Sequence, residues 1–333
     1  MTAPTHLNKT ELARAVDLIH RADRFALATH VKPDPDAIGS ISALGRALEQ
    51  LGKEVVMLCD DLPPDDLLML IPGSDRIVDH LPDGYQPDLF IGLDASDPER
   101  LGKVSEPLLA AGQPVIVIDH HITNLMFGDI NLVGSGYAAT AELLIDLIDA
   151  LDAQIDRDIA TALTSALIGD TLAFATSSVT PYTMQVAARL MESGANLHDL
   201  IKRQSNQRPF DQIRLWSIGL RSVQLEDQVI WAVVPYQERS EVGLTDTKTN
   251  LASFLLSAQE AQIAAVFREG EDGSIECSFR SELGWDVAAV ALSLGGGGHA
   301  QAAGCTIDGS LPAAVERVIP LLKQQALAGI QSG

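Results

Sequence analysis

Acidic and histidine side chains recur wherever an apolar run of this chain ends. They appear as His30-Val31-Lys32-Pro33-Asp34-Pro35-Asp36, then Asp94, then Asp119-His120-His121, and later Asp170 within Leu167-Ile168-Gly169-Asp170-Thr171. Mixed carboxylates and imidazoles suit a pair of hard-to-borderline divalent cations, and such a pair activates water against phosphorus. The spacing His-x3-Asp-x-Asp puts three donors in one turn, which Pro33 and Pro35 stiffen. Asp36 at the start of a helix has a second reading as a simple cap, and Asp94 alone reads equally as a turn residue. Asp119-His120-His121 is sharper, because costly polar groups follow directly on the apolar run Val115 to Ile118. Asp170 ends a strongly apolar helical stretch, where an unpaired carboxylate destabilises and a metal partner removes the cost.

The elements that must carry these groups are legible. Apolar β-rich runs at Phe25 to Thr29, Glu54 to Leu58, Asp88 to Leu93 and Pro114 to Ile118 read as buried parallel strands. Between the first two, Ile38, Ile41, Leu44, Leu48 and Leu51 fall at helical spacing and Gly52 stops the helix, which makes a β-α-β unit. Sites in open parallel sheets form beyond the carboxyl ends of strands, where His30, Asp94 and His120 emerge. Helical patterns follow at Thr140 to Leu151, Asp156 to Phe174 and Pro181 to Ser193.

The polar stretch Ala195 to Pro209, with Lys202, Arg203, Asn206, Gln207 and Arg208, reads as a linker. A helix from Phe210 to Leu225 then leads into strand-like runs at Val229 to Val234, Ile263 to Phe267 and Ser274 to Phe279. A helix from Asp286 to Leu294, four glycines, His299, a run at Cys305 to Ile307 and a helix from Leu311 to Leu327 complete the chain. The fold class is therefore α/β, with a parallel-sheet domain over 1–194, a linker over 195–209 and a smaller α/β domain over 210–333. Gly295 to Gly298 followed by His299 suggests a backbone cradle for an anion.

Length and composition agree with two cores: 333 residues, 46% of them apolar, exceed what one core normally organises. A net charge of -22 argues against tracking along duplex or single strands, which needs a basic surface, but leaves small polyanions open. No apolar stretch suits a membrane span or a leader, so a cytoplasmic protein without a membrane partner is expected. The three cysteines, Cys59, Cys277 and Cys305, form neither a disulfide framework nor a zinc spacing.

These motifs resemble the DHH phosphoesterase superfamily, in the order His30 to Ser40, Leu93 to Ser96, Val117 to His121 and Ile168 to Phe174. The DHH-associated C-terminal domain is matched by Phe279-Arg280-Ser281 and by Gly295 to Gly304. Within the superfamily the chain is most similar to oligoribonucleases that also dephosphorylate adenosine 3',5'-bisphosphate. The resemblance implies two divalent metals, most simply manganese, with magnesium, cobalt or zinc as substitutes. His30, Asp34 and Asp94 would hold one and Asp36, Asp94, His120 and Asp170 the other, Asp94 bridging. His121 would act on the phosphoryl group, with Asp119 orienting an imidazole. Arg280, Ser281, His299 and the backbone of Gly296, Gly297 and Gly298 would grip a terminal phosphate, in a cleft between the domains.

The expected function is thus hydrolysis of short oligonucleotides and removal of the 3'-phosphate from adenosine 3',5'-bisphosphate. A cyclic-di-AMP or linear diadenylate phosphodiesterase shares the same core. A nucleotide-binding protein with a decayed site would have lost a ligand, and none is missing. A homodimer follows by analogy only. One departure stands out: the family commonly has Gly-Arg after the motif's Asp-Thr, and this chain has Leu172-Ala173.

Overall fold

The computed structural model describes residues 7–244 and 250–330, and the chain forms two compact units, Met1–Gln207 and Arg208–Gly333. In the first unit six strands form one all-parallel sheet: β1 (Arg24–Thr29), β2 (Glu54–Leu58), β3 (Ile77–Val78), β4 (Leu89–Leu93), β5 (Val115–Asp119) and β6 (Ile130–Val133). Their order is β3-β2-β1-β4-β5-β6. The order reverses between β1 and β4, so the crevice at their carboxyl ends is the natural place for a site. β3 and β6 are edge strands, too short and too mixed in character to stand out in the sequence.

Eight α-helices among the described residues accompany this sheet: α1 (Lys9–Arg21), α2 (Pro35–Gln50), α3 (Asp65–Leu68), α4 (Glu106–Ala110), α5 (Thr140–Ala150), α6 (Arg157–Asp170), α7 (Pro181–Glu192) and α8 (Leu197–Ile201). Strands β4 (Leu-Phe-Ile-Gly-Leu) and β5 (Val-Ile-Val-Ile-Asp) are buried along their whole length, which explains their apolar character up to the closing Asp119. α2 packs most extensively on α6, and Gly39 makes the close approach possible. A Cβ there would lie 2.4 Å from Ala162 O. Gly169 plays the same part at the other end, facing Pro35. This antiparallel pair brings the start of α2 to the finish of α6, and with them Asp36 to Asp170.

Two boundaries differ from the sequence reading. α6 stops at Asp170 rather than Phe174, because Leu172, Ala173 and Phe174 turn left-handed, with φ of 47°, 58° and 68°. Non-glycine residues rarely adopt that region, and three in succession mark stored strain. The stretch 195–209 is not an extended linker. Leu197–Ile201 is helical, Lys202–Asn206 continues as a π-helix, and both belong to the first unit, with the division after Gln207. Leu200 is buried against the core, which is why this polar segment folds.

The second unit is a six-stranded mixed sheet in the order β11-β12-β10-β9-β8-β7. Its strands are β7 (Gln224–Glu226), β8 (Val229–Val234), β9 (Ile263–Glu269), β10 (Ser274–Ser281), β11 (Gly297–His299) and β12 (Ala302–Asp308). Its helices are α9 (Phe210–Leu220), α10 (Tyr236–Ser240), α11 (Leu251–Leu255), α12 (Val287–Ser293) and α13 (Leu311–Ile330). Phe267, Phe279, Val287 and Val318 share the core on one face, while Leu215, Ala264, Val266 and Leu251 share that on the other. α9 ends at Leu220, short of Leu225, because the chain turns into β7. No helix among the described residues is long and apolar enough to cross a membrane.

Candidate metal centre

Register alone sets three of the acidic and histidine positions on one line. Thr29 pairs with Leu93 and Leu93 with Ile118, so His30, Asp94 and Asp119 occupy the next row at the carboxyl edge. Thr29 Oγ1 donates to Leu93 O at 3.1 Å, tying β1 to β4 beneath that row. Asp94 leaves its strand with φ 57°, a left-handed turn that a non-glycine residue holds only when its surroundings enforce it.

The start of α2 supplies two carboxylates with separate tasks. Asp34, not Asp36, is the cap of its own helix: Asp34 Oδ1 accepts from Asp36 N and Ala37 N, both at 3.0 Å. Its other oxygen lies 3.7 Å from His30 Nε2. Asp36 is fully buried and meets a different helix, accepting from Thr140 N at 2.7 Å, Ala141 N at 3.2 Å and Ser40 Oγ at 3.1 Å. Those contacts offset part of the several kcal/mol that burying a carboxylate costs. α5 has no side-chain cap of its own, since Ala139 precedes it.

The imidazoles are oriented by the backbone. His30 Nδ1 contacts Val31 O at 2.8 Å, which leaves Nε2 facing Asp34 and Asp94 at 3.7 and 3.6 Å. His120 Nε2 faces Asp36 at 3.9 Å, Asp94 at 3.8 Å and Asp170 at 2.9 Å. That nitrogen is buried and makes no aligned hydrogen bond despite the short approach to Asp170. His121 Nδ1 lies 2.7 Å from Asp119 Oδ1 and 3.7 Å from Asp94 Oδ1. Asn124 Nδ2 donates to Asp119 Oδ2 at 2.6 Å, so Asp119 is fixed from both sides.

Electrostatics show a surplus of negative charge. Burial, then repulsion from Asp94 and Asp170, pushes the Asp36 carboxyl well above its usual range. Burial works against a charged His30, yet its bonds to Asp34 and Asp94 raise it to about 10, and Asp170, Asp36 and Asp94 raise His120 likewise to about 10. Burial and the close approach of His120 oppose one another at Asp170, whose carboxyl ends up raised. Protons on the imidazoles and Asp36 thus offset carboxylate charge that divalent cations would neutralise instead.

The donors fall into three groups, each with atoms within 4.8 Å of one another: His30, Asp34 and Asp94; Asp36, His120 and Asp170; and Asp94, His120 and His121. Oxygen and imidazole donors in that mixture, with the orphaned His120 Nε2 at their centre, fit divalent metal ions. Asp94 is common to two groups. His121 belongs to the third, but its Nδ1 is already held by Asp119, so Nε2 is its available nitrogen. Thr140, Ser40 and Asn124 escaped the sequence reading. A threonine opening an apolar helix was visible at Thr140, but its partners lie 104 and 46 residues away.

The second unit treats its expected residues unequally. Arg280 pairs with Ala302 and Ala302 with His299, which places Arg280 and His299 in one row on one face. Ser281 is the next residue of the strand and so points to the opposite face. It is buried, with Oγ 2.8 Å from Trp285 O and 3.2 Å from Ala300 O. The glycines are divided between a turn and a strand. Gly297 and Gly298 lie in β11, and a Cβ at Gly296 or Gly298 would meet Gly304 O at 2.1 Å or Ala302 O at 2.5 Å. Gly296 and Gly298 are small so that the chain can lie against β12, whereas a Cβ at Gly297 would meet open space.

An all-parallel sheet with this acid-histidine edge, followed by a second sheet domain, defines a two-domain DHH protein. The chain belongs to the DHH family of phosphoesterases: residues 24–167 match the model of the DHH family, N-terminal domain, and residues 242–326 match the DHHA1 domain. It is 34% identical, over 90% of its own length and 89% of the relative's, to the bifunctional oligoribonuclease and PAP phosphatase NrnA of Thermus thermophilus. It is 26% identical to the protein of the same name in Bacillus subtilis, over 90% of this chain and 93% of that one. Among solved structures, an exopolyphosphatase-related protein from Bacteroides fragilis superposes with TM-score 0.80 at 23% identity, covering 97% and 99% of the two chains. That last likeness bears on the fold.

Proposed function

We propose that the chain is a two-metal phosphohydrolase of short oligonucleotides that also removes the 3'-phosphate of adenosine 3',5'-bisphosphate. The observation that carries this reading is the convergence of His30, Asp34, Asp36, Asp94, His120 and Asp170: Asp94 groups with His30 and Asp34, Asp36 and Asp170 group with His120, and His120 Nε2 lies 3.8 Å from Asp94. The names of the full-length relatives support the substrates. His30, Asp34 and Asp94 are assigned to one manganese, and Asp36, Asp94, His120 and Asp170 to the other. When bound, such ions lower the pKa of water, neutralise phosphoryl charge and hold the phosphate in line for displacement.

The remaining chemistry falls to the protein. His121, held through Nδ1 by Asp119, presents Nε2 to a phosphoryl or leaving oxygen and supplies a proton there. Asp119 fixes the ring plane, and Asn124 fixes Asp119. Thr140 and the first N–H groups of α5 keep the carboxylates of Asp36 and Asp94 apart. In the second unit, the row of Arg280 and His299 is assigned to a terminal phosphate, whereas Ser281 serves the fold. An acidic chain that contacts phosphate at so few points suits pieces of a few nucleotides rather than long strands.

A second reading rests on a match of 24% identity to the cyclic-di-AMP phosphodiesterase GdpP of Geobacillus thermodenitrificans, over 85% of this chain and 44% of that protein. A panel of diadenylate, adenosine 3',5'-bisphosphate and cyclic-di-AMP separates the two. The expected result is Mn2+-dependent hydrolysis of the first two, abolished by chelation and reduced at least about a thousandfold in Asp94→Ala. A chelated enzyme or an Asp94→Ala variant that works like the parent overturns the mechanism, and preferential turnover of cyclic-di-AMP selects the rival.

A further inference from the structure

Beside the donor cluster, and wholly within the first unit, lies a cavity of about 530 Å³. The hairpin of Pro33, Asp34 and Pro35 forms one wall, the segment Pro64 to Leu70 a second, and the π-helix residues Arg203 and Gln204 with Gln207 a third. Asp34 thus belongs both to this cavity and to the donor group with His30 and Asp94. Nothing in the phosphate chemistry described so far uses the other residues.

The lining is mixed in a particular way. Proline rings with Leu67, Met69 and Leu70 make a mainly apolar wall that also includes Asp66, and Met69 is 70% exposed although it is large and apolar. An exposed flexible thioether suits stacking on a planar ring. Beside it stands the guanidinium of Arg203, whose Nη2 donates to Met69 O at 3.0 Å, which holds the cation against the same segment. Gln204 Nε2 donates to Ser165 O at 3.1 Å, and its Oε1 is buried without a partner. π-helices recur at functional sites because the extra residue re-aims side chains, and here it brings Arg203 and Gln204 to the cavity. The volume lies in the range of small-molecule sites, where an apolar lining with a few fixed polar groups is the usual composition.

Resting on the phosphohydrolase reading, we infer that this cavity is a nucleoside subsite: the base and sugar attached to the scissile phosphorus enter it, with the base on Met69 and the Pro33-Pro35 hairpin and Arg203 on the polar edge. The hairpin that supplies Asp34 then serves both phosphate and nucleoside. Recognition there favours nucleotides over small phosphodiesters without bases, and it is tolerant of base identity because stacking is.

The test uses the full chain with Mn2+ and two variants at exposed positions, Met69→Glu and Arg203→Gln, each checked for an unchanged circular-dichroism spectrum. Binding of etheno-adenosine monophosphate is followed by fluorescence anisotropy, and turnover is compared for diadenylate and bis(4-nitrophenyl) phosphate, a diester without bases. Both variants are expected to weaken etheno-adenosine monophosphate about tenfold and to raise KM for diadenylate equally, the size of one base contact. Turnover of the nitrophenyl diester stays as in the parent. Unchanged nucleotide binding in both variants, or equal losses on both diesters, overturns the subsite. If the parent cleaves neither diester, the phosphohydrolase reading fails, and the binding measurement still decides the subsite on its own.

Discussion

Thr140 gives its hydroxyl to Asp94 Oδ1 at 2.9 Å while its own N–H reaches Asp36 Oδ2 at 2.7 Å. One residue of α5 therefore fixes two carboxylates that arrive from different elements, and the hydroxyl leaves Asp94 Oδ2 to face His30. Outer-shell partners of this sort typically change metal affinity by about 10–100-fold. Thr140→Val removes the hydroxyl and keeps the backbone donor, so the Mn2+ concentration for half-maximal binding should rise by about tenfold, with Thr140→Ser restoring it. Metal titration followed by equilibrium dialysis checks this; equal affinity in the valine variant removes Thr140 from the support of the site.

His121 and Asp119 should separate cleanly from the ligands. His121→Gln removes the nitrogen proposed above to transfer the proton and is expected to lower kcat by about 10²–10⁴-fold, with metal content unchanged. Asp119→Asn keeps the shape of the contact at 2.7 Å but loses its charge, so the loss should be smaller. Steady-state kinetics with elemental analysis of the same samples gives both numbers. A His121→Gln protein that loses its metal would make His121 a ligand instead.

The α2–α6 crossing offers a prediction on stability. A Cβ at Gly39 would sit 2.4 Å from Ala162 O and 2.9 Å from Ala166 Cβ, so the helices must move apart. Gly39→Ala should cost about 1–3 kcal/mol despite the better helix propensity of alanine. Thermal unfolding should show the drop in Tm, and metal affinity should fall with it because Asp36 and Asp170 separate. Gly45→Ala, which meets the flexible side chain of Met57 rather than backbone, is the milder control.

Asp156 supplies the pH dependence. It caps α6 through Asp158 N and Ile159 N and holds Arg46 Nε with both oxygens, at 3.0 and 2.8 Å. Burial raises its carboxyl, but the Ile159 N–H and the Arg46 guanidinium outweigh that and hold it below its ordinary value. A depressed carboxyl contributes stability that is complete above the unfolded value, about pH 4, and disappears as pH falls through the folded one. Asp156→Asn can still cap the helix, so it should lower Tm at pH 7 and approach the parent as pH falls below about 4 and through the folded value. Melts across that window test the sign, and a gap that widens in acid contradicts it.

Much of the site was readable because its residues follow apolar runs, and a run buried on both sides of a parallel sheet must deliver its next residue to the carboxyl edge. His30, Asp94 and His120 were placed by that rule. Asp34 and Asp36 were legible as a pair, but their division of labour was not, since the partner that claims Asp36 is Thr140, far along the chain. The finish of α6 was missed because Leu172, Ala173 and Phe174 carry no turn chemistry, and tertiary packing imposes their conformation. Leu172 stands at φ 47° where the family commonly has glycine, so the backbone shape is kept without the residue that adopts it most easily. Arg280 and Ser281 show the opposite lesson: strand alternation alone separates their faces, and the motif obscured it.

The uncapped start of α5 has a wider meaning. Ala139 offers that helix nothing, and the oxygens that complete it come from Asp36 on α2, more than a hundred positions earlier. The chemistry and the architecture share a keystone. A lineage that no longer needed the reaction could not discard this aspartate freely, because α5 would fray at its first turn, and reagents wired into the scaffold in this way resist decay into mere binding proteins.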